Sequence, residues 1–361
     1  MLRRAGVVAS LAAILVAVPR AHAGHALVDA LDGTTLEATE PRSAVAAERA
    51  LELLLVEVVR ERIAAGALRF ASVVPMTVVG DDATAARVAH GHLAVGELLQ
   101  LVLLNRSRSA LSSLATAAGP GPDQARARLR RAALRLGLHD TAVPDRWPQE
   151  VSGAARTTVG DLARLVGALV QDAELRRRLT LDGSPIADGA LIVRTTDPLI
   201  ACAPPAEVPR PAGARPATLG ADPPAALALE SRDGLDLLAV ASGDDAPAAV
   251  WRTLEDGFAR YRRVELVHAG TPVGADIEVK GGATDRFTAI AAQAFALTVP
   301  RHGPFSLNAW LQLPGRVLAP VEANQSVGEL IFAQGGTIVG AVPLVAPASI
   351  APSGWIDTAR R

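Results

Sequence analysis

Ser43 to Ala65 reads SAVAAERALELLLVEVVRERIAA, and from Ala50 to Val59 it is apolar nearly all the way round a helical wheel. A helix with that pattern runs through the middle of a core rather than along its surface, so the fold is expected to be built around it. Its start should face a cleft. Arg49 and Glu52 stand there three residues apart, which puts them on one helix face, about a turn apart and able to pair.

Outward from this helix, strand and helix patterns alternate. Ala26 to Asp29, Asp32-Gly33 and Thr34 to Leu36 read as strand, tight turn, strand. On the other side, the β-branched run Val73 to Val79 reads as a strand, with Asp81-Asp82 as a turn after it. Val95 to Leu104 is expected to be a second buried helix. Asp123 to Leu136 is an arginine-rich amphipathic helix opened by prolines and closed by Gly137, its arginines making a solvated face. Thr157 and Thr158 cap a helix that runs to about Val170. Leu191 to Arg194 is a short strand, and the proline-rich stretch 203–224 is the least sheet-like part of the chain. Ala225 to Glu230 and Leu235 to Ala241 form a hairpin, followed by a helix over Ala246 to Arg262 with Trp251, Leu254 and Phe258 on its buried face. From Val264 onward come short strands separated by Gly and Pro: Thr271 to Lys280, Ala296 to Val299, Ser306 to Leu313, and Gly328 to Phe332 with Ile338 to Val345. These predict a small all-β sandwich.

Half of the 361 residues are hydrophobic, enough for a large core, and the formal net charge of −1 excludes a general nucleic-acid binder. The N-terminus has Arg3 and Arg4, an apolar run from Ala5 to Val18, then Ala21-His22-Ala23. That is the pattern of a signal peptide cleaved after Ala23, so the protein is expected to be exported to the periplasm or another extracytoplasmic space. Cys202 is the sole cysteine, so no intrachain disulfide can form. His90 and His92 lack a third partner for a metal site, and neither a metal nor another cofactor is implied.

Several segments carry a family likeness. Asp29-Ala30 with Gly33, Leu136-Gly137-Leu138-His139-Asp140-Thr141, and Thr158 with Asp161-Leu162 resemble the scaffold motifs of serine-type D-alanyl-D-alanine carboxypeptidases of the penicillin-binding protein 5 type. Thr298-Val299-Pro300-Arg301, Ala319-Pro320-Val321, Gln325-Ser326-Val327-Gly328 and Pro343-Leu344-Val345-Ala346 resemble the C-terminal domain of the same family. The resemblance implies an α/β (α+β) transpeptidase-like domain over 24–262, with helices around an antiparallel sheet. It further implies an all-β sandwich over 263–348 and a short tail over 349–361 with no clear membrane anchor.

It also implies where chemistry should be. The family's Ser-x-x-Lys falls on Arg49 and Glu52, or in an alternative register on Ala46 and Arg49. Its Ser-x-Asn falls on Arg106-Ser107-Arg108, and its Lys-Thr-Gly on Arg215-Pro216-Ala217. Serine acyl transfer needs a hydroxyl beside an amine that can lose its proton, and a guanidinium cannot serve as that amine. No catalytic residue is therefore assigned. If the fold holds, Arg49, Arg106, Arg108 and Arg215 would line one cleft, either as an anion-binding groove for a peptide carboxylate or as a site that has lost its role. Two functions stay open. One is a catalytically inactive relative that binds peptidoglycan stem peptides or cell-wall proteins; the other is an active carboxypeptidase using residues not identified by pattern.

Overall fold

The structure, a computed structural model, describes residues 23–354 apart from 77, 89–90, 120, 149–155, 182, 195–200, 203–216 and 220–223. Its centre is an antiparallel sheet in the order Ala217–Leu219, Ala225–Arg232, Leu235–Ser242, His25–Asp29, Thr35–Thr39. Ala201–Cys202 adds to it, parallel to Ala225–Arg232. The first strand therefore pairs with a strand more than 200 residues later, with His25 opposite Ala241 and Asp29 opposite Leu237.

Side chains alternate across the sheet. Leu27, Leu237, Ala239 and Ala241 turn to one face, which is covered by helix α8 (Ala246–Arg260). Val28, Leu227, Leu238 and Val240 turn to the other, which is covered by a stack of helices. That stack contains α1 (Glu48–Ala64), α2 (Ala83–Ala86), α3 (Val95–Asn105), α4 (Arg108–Ala118), α5 (Pro122–Arg135), α6 (Val159–Val170) and α7 (Ala173–Leu179). With both faces covered, the strands can be apolar along most of their length. A glycine brings one helix on each face close to the sheet. A Cβ at Gly257 of α8 would stand 2.8 Å from Leu27, and one at Gly167 of α6 would stand 3.1 Å from Val28. Residues with side chains would hold these helices further out and open voids beneath them.

Helix α1 is the buried helix the sequence predicts, and every residue from Arg49 to Val59 is buried. Other expectations shift. The strand foreseen over Val73 to Val79 is confined to Val73–Pro75, which pairs with His92–Ala94. Pro75 has no N–H to extend a ladder, and beyond it the Met76 N–H turns to the Gly91 carbonyl. The strand expected over Thr271 to Lys280 is confined to Ile277–Lys280, since Pro272 and Gly274 interrupt its first half. Helix α4 was not foreseen: Leu111, Leu114, Ala115 and Ala118 do recur at helical spacing, but the Ser and Thr residues among them in RSALSSLATAA read as loop. The arginines of α5 are less purely solvated than expected. Arg126 donates to the Trp147 carbonyl, while Arg130 reaches the Val143 carbonyl and the Asp145 carboxylate, so they pin the segment beneath them.

After α8 the chain continues as strands around a second core of Val267, Ile277, Val279, Phe332, Val342 and Leu344. The longest pairing there joins Ser326–Gln334 to Thr337–Val345, flanked by Asn308–Gln312 on one side and Ile290–Ala291 on the other. Asp29, at the end of the first strand and fully buried, ties the two cores together. Its carboxylate accepts from Thr298 Oγ1 at 2.5 Å and Arg263 Nη1 at 2.9 Å. Burial pushes its pKa up, and those donors together with the Leu31 N–H pull the other way. Among the described residues, no helix is long and apolar enough to cross a membrane.

Candidate functional site

The first turn of α1 meets the end of α3, and the contact is made by charge. Arg49 and Glu52 are each only 6% exposed and form an ion pair along the helix. The same guanidinium donates Nη1 to the Val102 carbonyl at 3.1 Å and Nη2 to the Leu103 carbonyl at 2.9 Å. Carbonyls in the last turn of a helix lack partners within it and carry partial negative charge, so a cation fits there. Arg49 thus caps α3 while Glu52 balances it. Burial raises the Glu52 pKa, and the charge and hydrogen bond of Arg49, with a further contribution from Arg106, oppose that rise.

α3 stops at once. Arg106 takes a left-handed conformation (φ 52°), its N–H returning to the helix, and Ser107 begins α4 as its N-cap. Ser107 is buried; its Oγ accepts from the Ala110 N–H at 3.1 Å and donates to Asp82 Oδ2 at 2.5 Å. Asp82 also caps α2 through the Ala85 N–H and receives the Ser109 N–H. Burial opposes ionisation of Asp82, but the donors from Ser107, Ala85 and Ser109 outweigh it and hold the carboxyl below its ordinary pKa. Ser109, fully buried, accepts the Val79 N–H at 2.9 Å.

Above this layer Val79, Gly80, Asp81, Asp82, Asn105, Arg106, Ser107 and Arg108 line a cavity of about 320 Å³. The sequence motif positions are therefore only partly brought together. Arg106 and Arg108, both exposed, line the cavity, and Arg106 reaches Glu48 in the first turn of α1 at 3.5 Å. Arg49 lies underneath, turned inward, and does not line it. Arg215 and Pro216 fall outside the described residues, while Ala217–Leu219 after them is the edge strand of the main sheet. Ala46 ends a short strand, Ala44–Ala46, paired with Arg156–Thr158.

Chemically, the cavity offers two exposed guanidiniums beside two carboxylates, suited to holding a charged group. A guanidinium at the first turn of α1 cannot act as a general base. The Ser107 hydroxyl, on the floor of the cavity and largely buried, is held between an amide and a carboxylate. Pattern reading saw Asp82 only as a turn residue and passed over Ser109; the signal for Asp82 was its place three residues before Ala85, an N-cap spacing.

The scaffold motifs do come together. Asp161, 1% exposed, accepts the Asp140 N–H at 2.8 Å and the Thr141 hydroxyl at 2.7 Å. Thr141 and Thr157 hydroxyls lie 2.7 Å apart, so Leu136–Thr141 and Thr157–Leu162 lock onto each other.

A helical domain over an antiparallel sheet with a polar cavity at the head of its buried helix, followed by a β domain, is the class of architecture this chain defines. Residues 261–351 match the family model of the penicillin-binding protein 5 C-terminal domain. Similar solved structures span almost the whole chain. One is a peptidoglycan synthesis regulatory factor (PBP3) from Streptococcus pneumoniae, 17% identical, with a TM-score of 0.70 over 91% of this chain and 98% of that one. Penicillin binding protein 5 from Haemophilus influenzae is 14% identical, TM-score 0.57, over 91% and 97% of the two chains. Penicillin binding protein 6B from Escherichia coli is 18% identical, TM-score 0.56, over 90% and 94%. A search of curated protein sequences gives no match. The second domain is a penicillin-binding protein 5 C-terminal domain. The chain as a whole has the fold of these penicillin-binding proteins.

Proposed function

We propose that this is an exported protein of peptidoglycan metabolism that is catalytically silent and acts by binding, with stem peptides or cell-wall proteins as its partners. The observation that carries the reading is the buried Arg49–Glu52 pair. In the register that places the family's nucleophile and base on these residues, neither can play its part: Arg49 is committed to capping α3 and Glu52 to pairing with Arg49. Ser107, the one hydroxyl at the motif positions named above, is buried and bound to Asp82. Arg106 and Arg108 at the cavity rim are the groups suited to a peptide carboxylate.

Incubation of the mature protein with a fluorescent penicillin, alongside an assay of D-alanine release from a muramyl pentapeptide, tests this. The expected result is no covalent label and no release above the uncatalysed rate. A stoichiometric adduct on any serine would overturn the silent reading and leave an active carboxypeptidase with a different nucleophile.

A further inference from the structure

Helices α1 and α5 run side by side, and over most of their seam the charges are matched. Glu57, fully buried, accepts from Arg60 Nε at 2.7 Å and Nη2 at 2.8 Å, and from Arg135 at 3.1 Å. Arg135 also meets Glu61. Near the C-terminal end of α1 the matching stops. Arg62 of α1 and Arg128 of α5, two turns before Arg135, are both half-buried. The Nε of each is shielded from water and has no hydrogen-bond partner. Burial, and then repulsion from Arg128, holds Arg62 below its ordinary pKa. No ion pair joins either residue to a carboxylate among the described residues.

Arg62 and Arg128 stand on helices that pack side by side, and two guanidiniums there, each with a buried, unused donor, destabilise a fold unless an anion completes them. We propose that Arg62 and Arg128 form a binding site for a phosphate-class oxyanion, either free phosphate or a phosphate monoester. A carboxylate would neutralise only one of the two charges. A tetrahedral dianion matches both and presents oxygens to two forks at once. The site lies on the same helix as Arg49 but thirteen positions further on, about 20 Å at the helical rise, so it is independent of the cavity.

Isothermal titration calorimetry on the full mature chain tests the site, with inorganic phosphate and glycerol 3-phosphate as titrants and sodium chloride at matched ionic strength as reference. Saturable binding is expected, about tenfold weaker in both Arg62→Gln and Arg128→Gln and unchanged in Arg131→Gln, whose guanidinium is exposed on the same helix. Binding of both titrants identifies a monoester site and binding of inorganic phosphate alone a free-phosphate site; either bears the proposal out. Heats no larger than the salt reference, or wild-type affinity in the two glutamine variants, would overturn it. Without titrant, Arg128→Gln should melt no lower than wild type, because it relieves a repulsion. A clear drop in its Tm would show that the arginine is structural and would count against the site.

Discussion

Two polar clusters sit inside the helical domain, and they differ in kind. Around Asp161 the residues follow the family pattern, and each donor there meets the carboxylate in a way that fixes one loop onto one helix. At the head of α1 the residues depart from the pattern, yet they are equally well bonded: Arg49 holds α3, and Ser107 holds α4 and Asp82. In the first cluster the structural task and the motif coincide. In the second, residues that the sequence resemblance lays on the family's acyl-transfer motifs serve as helix caps. Satisfied hydrogen bonding alone therefore does not identify a reactive site; what distinguishes one is access and a group that can exchange a proton.

Removing Arg49 should break this comparison most sharply. Arg49→Ala leaves Glu52 buried without its counter-charge and removes donors from two carbonyls of α3, so a loss of about 3–5 kcal/mol in urea unfolding at neutral pH is expected. Replacing Arg49 and Glu52 together by leucine should cost much less, since no lone charge is left behind. The sign with pH follows from Glu52, whose folded pKa burial raises. Its contribution is fully present below the unfolded value of 4.5 and is lost as pH rises through the folded value. Without Arg49 that folded value climbs further. The deficit of Arg49→Ala should be smallest near pH 4.5 and grow toward neutrality; a deficit independent of pH would mean that capping, not charge balance, is what Arg49 supplies.

Asp161→Ala probes the other cluster. The change leaves the Asp140 N–H and the Thr141 hydroxyl without their acceptor, an expected loss of about 2–3 kcal/mol by the same unfolding measurement. That is less than for Arg49→Ala, because no buried charge is stranded. A loss larger than that of Arg49→Ala would reverse the ranking and mark Asp161 as the principal fastening of the domain.

Much of this was legible from the sequence wherever periodicity and turn chemistry were strong. The unbroken apolar run of α1, the hairpin across Asp233-Gly234 and the strands on either side of Gly335-Gly336 all appear where they were expected. The pairing of Arg49 with Glu52 followed from their spacing. Its partners did not, because Val102 and Leu103 lie 53 and 54 residues away and offer only backbone carbonyls, which no residue type announces. Helix α4 was invisible for a different reason. Its Ser and Thr side chains return bonds to its own backbone, Ser113 to the Ser109 carbonyl and Thr116 to that of Ser112, and a sequence rich in such residues reads as a loop.

The smallest effect expected is the one that separates capping from charge in the second cluster. Ser107→Ala removes the N-cap of α4 and one of the donors to Asp82, for about 1 kcal/mol at neutral pH. The folded pKa of Asp82 is lowered, so its contribution is present above the unfolded value of 3.8 and is lost as pH falls through the folded value. In the variant that folded pKa moves back toward the ordinary one, and the part of the gap due to Asp82 exists only where wild-type Asp82 is ionised. The gap between wild type and variant should thus be full at pH 7 and narrower at pH 3, with a remainder due to the lost cap. Urea unfolding at the two pH values measures it. If the gap is the same at both, the Ser107 hydroxyl serves α4 alone and the bond to Asp82 contributes nothing to stability. If it narrows, Ser107 joins two helix starts through one carboxylate.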